Sequence, residues 1–199
     1  MTPEFGTTAW GRAWLRLAEP ITAGSIDTRL PKARALPRRG YVENLVTGPG
    51  LVDALVRVRD REYPVRLSFD LWGTWAHERI AAFVREDPTA VQLLTSGDAP
   101  DELADAVGEA IAPTPDELDA RCPCRERCRP CLHQLGVLYA LVQRIDEEPV
   151  TALALRGWEW AAIDGEPGAD RGTGPRDRIP LASLDPFGFY RWREFTGHG

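Results

Sequence analysis

The chain has 199 residues, with 24 Lys and Arg against 30 Asp and Glu. A net charge of −6 argues against a protein that binds nucleic acid through bulk charge alone. No apolar run approaches a membrane span, and Met1-Thr-Pro-Glu-Phe lacks the basic and apolar stretches of a secretory signal, so a cytoplasmic location is expected.

The charge is unevenly spread. Residues 86–120 contain ten acidic side chains and no Lys or Arg, whereas 29–39 hold five basic residues and no acid. The result is an acidic body with two basic segments, the second being the arginine-rich stretch around residue 125.

In chain order, Thr7 or Thr8 caps a helix that runs to about Glu19 and stops before Pro20. Trp10, Trp14 and Leu17 recur at helical spacing and mark its buried face. Residues 20–40, with Pro31, Pro37 and the first basic cluster, read as an irregular exposed segment whose arginines are available for phosphates.

Alternation then predicts a β-meander. Its strands are 41–46, 52–58 and 63–69, joined by Gly48-Pro49-Gly50 and by the turn 59–62. Three antiparallel strands with one apolar face need a layer of helices to cover them. The spacing predicts a helix over 74–85 with Ala76, Ile80, Phe83 and Val84 inward, extended at its start by Trp72 and Trp75. His77 reads as a surface or packing histidine. Residues 88–96 form a short apolar segment. A helix after Asp98 follows, with Leu103, Ala106, Val107, Ala110 and Ile111 inward and its carboxylates in solvent. Thr114-Pro115-Asp116-Glu117 has the pattern of a capping box and predicts a short helix leading to Cys122.

All four cysteines and one of the three histidines fall in Cys122-Pro-Cys124-Arg-Glu-Arg-Cys128-Arg-Pro-Cys131-Leu-His133. Thiolates and neutral imidazole suit a tetrahedral zinc ion. Cys122 and Cys124 stand one pleat repeat apart on an extended segment. The insert turns back through Pro130, and Cys131 and His133 stand two apart where an apolar helix begins. Cys122, Cys124, Cys131 and His133 are therefore assigned as zinc ligands, with Cys128 spare. A set that uses Cys128 in place of another cysteine stays open, as do disulfide and redox readings, since Cys128 and Cys131 have Cys-x-x-Cys spacing.

The helix after the ligands covers 134–147, with Leu138, Leu141, Val142 and Ile145 inward. Residues 149–163 resume apolar character with Trp158 and Trp160, 165–177 read as a linker, and 179–195 form an aromatic tail. The expected organisation is an N-terminal α+β region over 1–113, the finger with its helix over 114–147, the C-terminal part of the core over 148–164, and linker plus tail over 165–199. The fold class is α+β: a small three-stranded antiparallel sheet packed with helices.

The spacing Cys-x-Cys, six residues, Cys-x-His resembles the SWIM zinc finger. Phe5-Gly-Thr-Thr-Ala-Trp10-Gly-Arg-Ala-Trp14 and the strand block around Tyr63-Pro-Val resemble the corresponding parts of bacterial SWIM-finger proteins, many of them actinobacterial. The resemblance covers roughly residues 5–157. Cys128 departs from the family, which usually has a non-ligand residue type there.

The resemblance implies a DNA- or protein-interaction module, often found with Swi/Snf-type helicases. No phosphate loop or nucleophile elbow is visible, so a non-enzymatic adaptor is expected, with no small-molecule substrate and no membrane. Arg121, Arg125, Arg127 and Arg129 are its candidate nucleic-acid contacts. A protein acting alone on DNA through this finger is the alternative.

Overall fold

A computed structural model describes residues 5–20 and 27–158. The sheet is antiparallel, in the order β1 (Val42–Gly48), β2 (Leu51–Val58), β3 (Arg61–Ser68) and β4 (Asp119–Arg121). The meander is as expected, but the sheet has four strands rather than three. The fourth is only three residues long and pairs Arg66 with Arg121, Leu67 with Ala120 and Ser68 with Asp119. It takes the place of the short helix predicted from Thr114. The Glu117 carboxylate does accept the Thr114 N–H, at 2.8 Å, but it closes one turn and the chain then extends along β3.

Among the described residues, seven α-helices accompany the sheet: α1 (Ala9–Ala18), α2 (Leu30–Arg38), α3 (Thr74–Glu86), α4 (Pro88–Thr95), α5 (Asp101–Val107), α6 (Leu132–Glu147) and α7 (Val150–Leu155). A 3-10 turn, Gly108–Ile111, continues α5. The basic segment over 29–39 is thus helical where irregular chain was expected. Pro31 lies in the first turn, where no helical N–H bond is lost, whereas Pro37 gives up the bond to the Ala33 carbonyl in the last turn, and the helix ends one residue later. Ala33 and Leu36 bury the inner face of α2 against α6.

Alternation sorts the sheet into two faces. Val52, Ala54, Val56, Val65 and Leu67 are buried, and α6 packs across them. The other face carries cross-strand ion pairs, Arg66 with Asp53 at 2.7 Å and Arg57 with Glu62 at 2.7 Å.

The core centres on α6, where Leu135, Leu138, Leu141, Val142 and Ile145 are buried. The aromatic opening of the chain docks on this helix. Phe5 packs on Tyr139, with ring centroids 5.0 Å apart. Asp146 accepts the N–H groups of Gly6 and Thr8 at 2.7 and 3.0 Å, and Thr8 caps α1 by accepting the Gly11 N–H. Trp10 and Trp14 are fully buried, so the tryptophans pack the core as expected. A second polar tie joins three helices: Arg34 and the Tyr139 hydroxyl both donate to Glu19, at 2.6 and 2.5 Å.

Two glycines permit these approaches. A Cβ on Gly136 would sit 2.5 Å from Leu36 Cδ1, and one on Gly11 would overlap the Asp146 carboxylate. Gly11→Ala is therefore expected to destabilise the protein by about 1–3 kcal/mol through overpacking, read as a lower urea midpoint. An unchanged midpoint would mean that Asp146 does not hold α1 in this way.

Among the described residues, no helix is long and apolar enough to cross a membrane. Trp160, the 165–177 linker and the aromatic tail lie outside the described residues.

Candidate metal centre

The centre forms where two arms of chain meet. The first leaves β4 and carries Cys122 and Cys124. The second enters α6, with Cys131 at its N-cap and His133 in its first turn. One donor atom from each of these four residues lies within 4.8 Å of every other. In a tetrahedral zinc site with Zn–S bonds of about 2.3 Å, neighbouring donors stand about 3.5–3.8 Å apart. Cys122 Sγ and His133 Nδ1 stand 3.8 Å apart. The donor set and its geometry fit a metal ion. Cys128 is exposed and outside the group.

Local structure positions each donor. The Cys131 thiol accepts the Gln134 backbone N–H at 3.5 Å, and the Gln134 side chain accepts the Cys131 N–H at 2.7 Å, so the pair forms a capping box with sulfur in place of a hydroxyl. The His133 ring stacks on Tyr63 of β3, with centroids 4.0 Å apart and planes 17° from parallel. Glu126 accepts the Leu132 N–H at 2.7 Å, satisfying a free donor at the start of α6. The insert is held from outside by Arg29, which is paired with Asp27 and donates to the Pro130 carbonyl at 2.7 Å.

Burial and the neighbouring hydrogen-bond partners together set the electrostatics of the four side chains. Burial, with the neighbouring thiols adding to it, pushes the Cys122 thiol up to about 12. Burial also raises Cys131, against the Gln134 N–H. At Cys124 burial acts in the same sense but is outweighed by the Glu126 N–H, the two other thiols and Arg129, so this thiol is held low. Burial lowers His133, with Glu126 partly opposing, which favours the neutral imidazole that a metal requires.

The four candidate nucleic-acid arginines are all exposed but not equivalent. Arg121 pairs with Asp119 at 2.8 Å, and Arg129 lies against Cys124 Sγ at 3.8 Å. Arg125 and Arg127 have no ion-pair partner among the described residues. Of the basic cluster over 29–39, Arg29 and Arg34 hold structural bonds and are not free for phosphates. His77 is half-buried on α3, outside the group of four.

Sequence reasoning missed Gln134, Tyr63 and Glu126. The signal for Gln134 was present as Cys131-x-x-Gln134, a capping-box spacing with cysteine at the cap. Tyr63 carried no local signal, since β3 and α6 lie far apart in sequence.

Fold and site together define an α+β protein with a Cys3His group able to hold a metal ion. No family model matches the chain, and no solved structure matches it significantly. It is similar to the uncharacterized protein Rv2102 of Mycobacterium tuberculosis, 34% identical over 160 residues. The match takes in 76% of this chain but 56% of that protein, so the chain spans little more than half of this relative's length.

Proposed function

We propose that the protein is a non-enzymatic zinc-binding adaptor of SWIM type, cytoplasmic, which joins nucleic acid to a protein partner such as a Swi/Snf-type helicase. The observation that carries this reading is the convergence of three sulfurs and one imidazole within 4.8 Å. Zinc bound this way has all four positions filled by protein and none left for an activated water, so it supports structure rather than chemistry.

The nucleic-acid arm rests on the cleft beside the centre, lined by Arg61, Glu62, Tyr63, Arg125, Glu126 and His133 among others. Glu62 is paired with Arg57, and Glu126 is turned to the Leu132 N–H while keeping its charge. The guanidinium groups of Arg61 and Arg125 are left to meet phosphate. DNA binding through the finger alone is the weaker reading, given the net charge of −6 and the engagement of Arg121 and Arg129.

Metal analysis should find one zinc per chain. A salt series on single- and double-stranded DNA tests the nucleic-acid arm. Arg61→Glu with Arg125→Glu is expected to weaken binding and to reduce the slope of log affinity against log salt by about 1 for each phosphate no longer neutralised. No binding at low salt, or binding indifferent to both substitutions, removes this arm. The protein arm is tested by capture of a Swi/Snf-type helicase, which a chain truncated near Gly165 is expected to lose.

A further inference from the structure

We propose that Gln134 couples metal binding to closure of β4 on the sheet, acting as a positioning residue for the centre. The inference rests on the reading that the four side chains hold a metal ion.

Gln134 is fully buried, although it is polar and lies in an apolar helix. Its side-chain carbonyl accepts the Cys131 N–H at 2.7 Å, and its amide nitrogen donates to the Ala120 carbonyl at 2.7 Å. Ala120 is the middle residue of β4 and lies two positions before Cys122. Cys131 is one of the four candidate ligands and lies two positions before His133. A single amide therefore grips both arms of the finger close to where the metal would grip them.

The bond to Ala120 is more than capping requires. A capping box needs an acceptor at this position, which glutamate supplies equally well. A carboxylate has no N–H to give the Ala120 carbonyl, whereas the glutamine side chain offers acceptor and donor together. β4 meets the sheet through only three residue pairs, at the short end of strand lengths, so the Gln134 bond is a sizeable part of what holds it. The amide and the ion hold the same two arms in the same relative position, so each makes the other's grip more favourable. The coupling is reciprocal by linkage: a docked β4 raises metal affinity by the factor by which metal favours docking.

The full-length protein and two variants, Gln134→Leu and Gln134→Glu, test this. Zinc affinity is measured by competition with a chromophoric chelator, the ligand field by cobalt(II) absorption, and β4 docking by amide hydrogen exchange of the metal-free and zinc-loaded forms. Wild-type β4 is expected to gain protection when zinc binds. Both variants are expected to bind zinc about 10–100-fold more weakly and to leave β4 exchanging fast even when loaded. Wild-type affinity in the variants, with equal loss of thermal stability in both metal states, would reduce Gln134 to a packing residue and overturn the coupling. Equal β4 protection in metal-free and loaded wild type would overturn it without any variant, even if the substitutions prevent folding. Failure of the wild type to take up zinc or cobalt would instead sink the underlying metal reading.

Discussion

Cys131→Ser is expected to release the metal and to lower stability by about 4 kcal/mol when free zinc stands a thousandfold above its dissociation constant. Serine is a good N-cap, so the substitution keeps the start of α6 while removing a sulfur ligand. Loss of stability then reports the ion and not the cap. Chelator added to the wild type should reproduce the variant's thermal transition. Cys128→Ser serves as the control: Cys128 is exposed and outside the group of four, so metal content and transition should both be retained. If chelation left the wild-type transition where it was, the ion would not support the fold. If Cys128→Ser lost the metal, the ligand set would need redrawing.

Trp10→Ala is expected to cost about 3–5 kcal/mol, the range for emptying a buried aromatic site. Trp10 is 0% exposed, and its indole N–H donates to the Ala99 carbonyl at 3.1 Å. Truncation would open a large cavity between α1 and the chain before α5, and would leave that carbonyl unpaired in the interior. Chemical denaturation should show a lower midpoint with zinc still bound, since Trp10 and the centre lie on different parts of α6's surroundings. Trp10→Phe keeps most of the volume and should recover most of the loss. A change under about 1 kcal/mol in the alanine variant would contradict so complete a burial.

What could be read from the sequence divides along a physical line. The Cys3His cluster was legible because its spacing is local and the donor chemistry of cysteine and histidine is narrow. The hairpins were legible from alternation, clearest in β2, and α1 from tryptophans at helical spacing. The fourth strand was not: three residues carry no periodicity, and their pairing with β3 lies some fifty positions away. α2 was misread because its prolines look like breakers unless they are known to sit in its first and last turns. The arginines over 29–39 looked free because their partners, Glu19, Tyr139 and Pro130, are brought to them only by folding. Asp146, which holds the opening of the chain in place, carried no sequence signal of that role.

That last anchor bears on how the chain is made. Gly6 bonds to a residue 140 positions further along, so α1 leaves the ribosome long before its receptor exists. Until α6 follows, Trp10 and Trp14 remain uncovered on a nascent segment. Of these two helices, the earlier in the chain is thus seated only once the later one has been made, and in that interval its tryptophans stay exposed to water.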